Sequence, residues 1–218
     1  GLFSIEFFPP NTPEGVVKLR ETRKQFAPIK PGFYSVTFGA GGSTREKTLP
    51  TVLEIAGEGN AAAPHISCIG STQESISSLL ETYKANNINR LVALRGDLPS
   101  GMGDIGHFRY VETYFHFVEA TKKLGAEVPV VPGIMPFHNY SKIARFADMS
   151  GAEMPRWIAR KMEGYLDDAA SIRAFGLDVI TQMCERLLAG GAPGLHFYSM
   201  NQSALTLEIW KRLKLRAA

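Results

Sequence analysis

Six short apolar runs recur along the chain with helical stretches between them, and this alternation restricts the fold more than any other feature. The runs are Leu2 to Phe8, Phe33 to Phe38, Pro64 to Ile69, Leu91 to Leu94, Val128 to Ile134 and Leu195 to Met200. Each is rich in β-branched or aromatic residues and short enough to be a strand. The intervening segments carry helix signals. Thr12-Pro13-Glu14 reads as an N-cap with proline at the first helical position. Ser71-Thr72-Gln73-Glu74 opens a second helix, with Ile76, Leu79, Leu80 and Tyr83 on one face. Gly125 closes a third. From Ser141 to Gly190 the pattern is almost wholly helical, broken near Gly151 and Gly164. Strand–helix alternation with near-continuous apolar strands predicts a parallel sheet covered on both faces.

The first run ends in Phe-Phe-Pro-Pro rather than in a GxGxxG loop, which favours a closed barrel over an open dinucleotide-binding sheet. No Pro/Gly/Ser-rich linker interrupts the chain, so residues 1–218 are expected to form one catalytic barrel domain. A closed eight-unit barrel takes about 250 residues. With 218 residues and six recognisable units, the chain falls short by one or two.

Composition excludes several classes. Apolar residues make 44% and charged residues 21%, with 24 basic and 21 acidic side chains giving +3. A collagen-like repeat, a disordered tail protein and a disulfide-stapled miniprotein are all outside that range. Basic residues are scattered except at Lys211, Arg212, Lys214 and Arg216, which suit the end of a helix. Nucleic acid is therefore not an expected partner. No apolar run reaches the roughly 18 residues of a membrane span, and no signal peptide is evident, so a cytoplasmic protein is expected. Cys68 and Cys184 fit no metal spacing and read as free thiols.

In a barrel the C-terminal strand ends form the active face. Glu6 lies among Ile5, Phe7 and Phe8, where desolvation raises a carboxyl pKa and suits a general acid. Thr37 is followed by Gly39, Gly41 and Gly42, a loop that lets backbone approach a ligand closely. His65 sits in Ala-Pro-His-Ile-Ser-Cys. Arg95-Gly96-Asp97 follows the fourth run directly and offers a cation, a close approach and an acceptor. An adhesion role for that tripeptide would need a secreted protein. The last run ends in His196-Phe197-Tyr198-Ser199-Met200-Asn201, polar groups suited to ligand contact. No Walker loop, GxSxG or metal-ligand spacing occurs.

Seven ordered segments, SIEFFPP (4–10), VTFGA (36–40), APHISC (63–68), ALRGDLP (93–99), PGIMP (132–136), FADM (146–149) and HFYSMN (196–201), together resemble the catalytic barrel of methylenetetrahydrofolate reductases. The resemblance implies a (β/α)8 TIM barrel holding non-covalent FAD. It implies reduction of 5,10-methylenetetrahydrofolate to 5-methyltetrahydrofolate by NADH or NADPH in a ping-pong cycle, feeding methionine synthesis. Glu6 matches the family's general acid and Asp97 the acid that contacts folate and tunes the flavin. Thr37, Phe38, Ala40, His65, Arg95 and Gly96 match positions lining flavin and nicotinamide, with Tyr110 a further flavin contact. Phe146 matches an aromatic that stacks on either substrate. A homo-oligomer is also implied.

Two substrate positions depart from the pattern. Gln202 stands where the family often has Arg, and cannot pair ionically with a carboxylate tail. Lys142 stands where some members place Gln. A larger departure lies at Tyr110/Val111, where about two βα units, including part of the family's flavin-binding group, have no counterpart. An unresolved segment there, with a Cα–Cα distance far above 3.8 Å, is expected rather than a true deletion. If the deletion is real, a catalytically impaired folate- or flavin-binding barrel becomes the alternative, beside another barrel flavoenzyme.

Overall fold

Strand and helix alternate as the sequence predicts. The computed structural model describes residues 2–39, 45–67, 72–94, 110–125, 128–150, 154–165 and 167–215. Within these the order is β1 (Leu2–Phe7), α1 (Pro13–Phe26), β2 (Phe33–Val36), α2 (Arg45–Gly57), β3 (Ala62–Ser67), α3 (Gln73–Ala85) and β4 (Val92–Leu94). There follow α4 (Tyr110–Lys123), β5 (Gly133–Ile134), α5 (Tyr140–Ser150), α6 (Arg156–Glu163), α7 (Ala169–Ala189), β6 (Gly194–Tyr198) and α8 (Ala204–Arg212). The fold is α/β with parallel strand pairing. Six strands occur among the described residues, not the eight of a complete (β/α)8 barrel.

Two sequence expectations need correction. Tyr110 and Val111 are successive residues of the helix α4, so no unresolved segment separates them in the structure. The fifth strand is expected over Val128–Ile134 and covers only Gly133–Ile134. Pro129 and Pro132 lack the N–H that a ladder needs, and Val128 is exposed.

The chain divides into two compact units. The first in sequence comprises Leu2–Pro99 with His196–Ser203. Its sheet runs β4-β3-β2-β1, with the C-terminal half of β6 beside β1. The β1–β2 register pairs Ser4 with Phe33 and Glu6 with Ser35, and β2–β3 pairs Ser35 with Ala63. Side chains alternate across a strand, so one face carries Phe3, Ile5, Phe7, Tyr34 and Val36. All five are buried. Phe7 stacks on Tyr34 with centroids 5.3 Å apart and meets Phe26 of α1 at 6.1 Å. Phe3 lies 5.0 Å from Phe197 of β6. The other face carries Ser4, Glu6, Ser35, His65 and Ser67, which is not the continuous apolar pattern expected of doubly covered strands.

Helix ends follow local chemistry. Thr12 Oγ1 accepts from Gly15 N at 3.1 Å, and Thr72 and Ser75 complete a capping box at the start of α3. Between α1 and α2, Arg23 is buried and chelates Glu58 (Nε–Oε2 2.9 Å, Nη2–Oε1 2.6 Å) while also donating to Glu54. Arg20 holds the same Glu54 bidentately at 3.0 and 2.8 Å. Hydrogen bonds from Arg20 and Arg23 hold the Glu54 carboxyl down at about 2, against an ordinary 4.5. Because the folded value lies below the unfolded one, the unfolded chain takes up the proton first. This stabilisation is complete above pH 4.5 and is lost as pH falls toward 2. Denaturant midpoints measured across that window should fall steeply for the wild type and more shallowly for Arg23→Met.

The second unit comprises Ser100–Leu195 with Ala204–Leu215. Here β5 lies beside the N-terminal half of β6. Tyr114 of α4 donates its hydroxyl to Val130 O at 2.8 Å. The long α7 is capped by Asp168, which accepts from Ala170 N and Ser171 N at 3.1 Å. It buries Ile172, Gly176, Leu177, Ile180, Thr181, Cys184 and Leu187. Arg212 at the end of α8 pairs with Asp178 at 2.6 Å. No described helix is long and apolar enough to cross a membrane.

Candidate functional site

The polar face of the first unit gathers its titratable groups around Glu6. The Glu6 carboxylate is 16% exposed and lies between two imidazoles. Its Oε2 is 3.3 Å from His65 Nε2 and 3.4 Å from His196 Nε2. The His196 contact has hydrogen-bond geometry. The His65 contact does not, leaving His65 Nε2 a buried polar atom without a hydrogen-bond partner. Its interaction with Glu6 is therefore electrostatic. Burial pushes the His65 pKa below its ordinary 6.5, against the pull of Glu6 and with a push from His196. His65 is thus neutral at pH 7, one nitrogen a donor and the other an acceptor.

His196 is held from several sides. Its Nδ1 is 2.7 Å from Ser4 Oγ, and its Nε2 is also 3.5 Å from Ser35 Oγ. Tyr198 meets the ring edge-on at 5.5 Å. Burial, with the Glu6 charge adding, raises the Tyr198 phenol pKa. Ser199 Oγ donates to the Glu6 carbonyl at 2.7 Å, locking β6 to β1 beside the carboxylate. One step further, the Asn201 side chain brackets the Phe8 backbone, accepting from its N–H at 3.0 Å and donating to its carbonyl at 2.9 Å. Met200 and Asn201 reach this position with φ of 51° and 54°, left-handed values that non-glycine residues rarely adopt.

Of the residues singled out in the sequence, Glu6 and His65 are brought together. Thr37 directly follows β2, its N–H donating to Phe7 O at 2.9 Å and its carbonyl accepting from Thr48 Oγ1 at 2.9 Å. The Phe38 ring packs with Ile66, Leu79 and Tyr83, so that residue offers a ligand its backbone rather than its ring. Gln202 is exposed, its N–H donating to Ser199 O at 2.9 Å. Lys142 is an exposed residue of α5, its N–H capped by Asn139 Oδ1 at 2.9 Å. Ala40, Arg95, Gly96 and Asp97 lie outside the described residues, as do the side chains of Tyr110 and Phe146. A cavity of about 600 Å³ opens on α6, lined by Arg156, Trp157, Arg160 and Lys161, and holds none of these positions.

Sequence reasoning misses Ser4, Ser35 and the pairing of His196 with Glu6. The available signal is a period of two: Ser4 and Glu6, Ser35 and Thr37, His65 and Ser67, His196 and Tyr198 are all polar or ionisable at alternate positions. The orphaned Nε2 of His65 and the left-handed turn at Gly39 (φ 75°) fit a flat, polar ring seated at the ends of β2 and β3.

A parallel βα sheet that carries a buried carboxylate between two imidazoles on one face is an arrangement found in enzymes of the α/β class. The profile of the family described as methylenetetrahydrofolate reductase matches residues 1–110 and 105–214, and the chain belongs to that family. The 5,10-methylenetetrahydrofolate reductase of Escherichia coli (strain K12) is 29% identical over 268 residues, covering 98% of this chain and 90% of the relative. Methylenetetrahydrofolate reductase (NADH) 1 of Arabidopsis thaliana is 27% identical over 289 residues, covering 98% of this chain and 48% of its own. The solved dihydropteroate synthase of Thermus thermophilus aligns over 98% of this chain and 94% of its own at 16% identity, with a TM-score of 0.45, too loose to bear on the fold. The Escherichia coli alignment spans 268 positions, more than the 218 residues of the whole chain, so a stretch of the relative has no counterpart here. The family match also divides in two, at residues 105–110.

Proposed function

We propose that the protein reduces 5,10-methylenetetrahydrofolate to 5-methyltetrahydrofolate with electrons from NADH or NADPH, passed through non-covalent FAD in a ping-pong cycle. The observation that carries this reading is the Glu6 carboxylate clasped by His65 and His196 at the end of β1. Family membership and the names of the relatives support it. We place the protein in the cytoplasm, as a homo-oligomer supplying methyl groups for methionine synthesis.

Bound FAD would supply hydride acceptance and donation. The chain's own residues do the rest. Glu6 holds the proton that opens the substrate's methylene bridge, and His196 and Ser4 fix the carboxyl that carries it. His65, neutral at pH 7, keeps its Nε2 3.3 Å from Glu6 Oε2 without adding a cation there. Thr37, the Phe38 backbone and His65 line the flavin, together with Ala40, Arg95, Gly96 and Tyr110. Asp97 contacts the folate ring. Phe146, Lys142 and Gln202 contact substrate, with Gln202 hydrogen-bonding rather than ion-pairing to its tail.

One observation favours a second reading, a barrel that binds folate or flavin but turns over poorly. The stretch without counterpart includes part of the flavin-binding group that the family resemblance implies. Purified protein separates the two. The first reading expects flavin absorbance, NADH oxidation with an artificial acceptor, and folate-dependent turnover. A colourless protein that cannot be reconstituted with FAD rejects it in favour of the second.

A further inference from the structure

The acid at Glu6 is backed by a column of rings that starts at the protein surface. Arg90, just before β4, places its guanidinium carbon 5.0 Å from the centroid of the Phe33 ring, while its Nη1 donates to Gly32 O at 3.2 Å. The Phe33 ring lies nearly parallel to His196, at 6.1 Å and 20°. Tyr198 closes the column edge-on at 88°. Phe33 sits on the polar face because its register partner is Ser4, the residue that binds His196 Nδ1. The ring of His196 is therefore fixed in plane by Phe33 and Tyr198 and in rotation by Ser4. In that orientation Nε2 lies 3.4 Å from Glu6 Oε2.

We propose that Arg90 and Phe33 are positioning residues for the Glu6 acid, acting through the plane of the His196 ring. The proposal rests on the acid role assigned to Glu6 above. Ser4 Oγ can donate to or accept from Nδ1. Nε2 can thus donate to an ionised Glu6 or accept from a protonated one without the ring turning over. A cation on the face of Phe33 is attracted to the ring's quadrupole and holds it against the imidazole. The groups facing His196 are Glu6 from β1 and Tyr198 from β6, with His65 from β3 sharing the same carboxylate oxygen and Arg90 beyond Phe33.

Imidazole ¹⁵N spectroscopy on the full chain tests the positioning directly, with His196→Gln assigning the signal among the five histidines. The wild type should show two well-separated His196 nitrogen shifts at neutral pH, the mark of one tautomer. Phe33→Leu should bring them toward the averaged value, Arg90→Met should do so partly, and Arg90→Lys should keep the wild-type pattern. In parallel, folate turnover should fall about tenfold in Phe33→Leu and about threefold in Arg90→Met, with a shifted pH profile. NADH oxidation with an artificial acceptor should stay within about twofold. Unchanged His196 shifts in both variants, or equal losses in the two half-reactions, would overturn the proposal. Shifts that move as expected in a protein without folate turnover would uphold the positioning and reject the acid role.

Discussion

Glu6→Gln is expected to lower folate-dependent turnover by about 10²–10⁴-fold, the usual worth of a positioned general acid. NADH-driven electron transfer to an artificial acceptor should stay nearly intact, because that half-reaction needs no proton at the substrate's bridge. The amide keeps the size of the carboxyl and can still meet His196, at 3.4 Å from Oε2 in the wild type. The loss would therefore report the proton rather than a collapsed site. Thermal midpoints should differ little, since Ser199 and His196 hold this part of β1 through the Glu6 backbone and through Ser4 as well. Equal loss of both half-reactions would reject the acid role.

The largest effect on stability is expected at Gly176. A Cβ added there would sit 2.4 Å from the carbonyl oxygen of Phe137 and 3.1 Å from its ring. Backbone on one side and helix α7 on the other leave nothing flexible to yield. Gly176→Ala should cost about 2–3 kcal/mol, as overpacking of a filled core does, and lower Tm by about 5–10 °C for a chain of this size. Gly190→Ala provides the contrast. Its Cβ would come 2.1 Å from the tip of the half-buried Phe115 ring, a side chain that can swing aside. Its φ of −79° also suits alanine. The added methyl restricts the unfolded chain, which offsets part of the clash, so Gly190→Ala should lower Tm by less than half as much. Equal Tm losses would mean that α7 does not pack against the Phe137 backbone as described.

Much of this is legible in the sequence wherever the cause is local. Thr12 and Thr72 announce their helices because a cap needs only residues three positions away. The break at Gly164, which caps α6, is visible for the same reason. Glu6 and His65 stand out because ionisable groups are rare in such runs. Long-range pairing is not legible. Ser4 and His196 are 192 positions apart, and only the placement of β6 beside β1 makes them neighbours. Apolar patterning throughout the strands is a rule for sheets covered on both sides by helices. Here Ser35 and His65 are buried and polar, on the face that also holds Ser4 and Glu6. The fifth strand reads as too long in the sequence because Val128, Val130 and Val131 outweigh the two prolines between and after them.

The alternation in β1 also divides labour in a way that bears on how such a protein can change over generations. Phe3, Ile5 and Phe7 serve the core, and Ser4 and Glu6, interleaved with them, serve the proposed site. Adjacent codons thus specify side chains with different physical tasks. A lineage can rework the ligand-facing residues toward a new substrate while the core-facing ones keep the sheet assembled, and can exchange one core side chain for another of similar volume without disturbing the chemistry. Stability and specificity are written into one strand, a single residue apart.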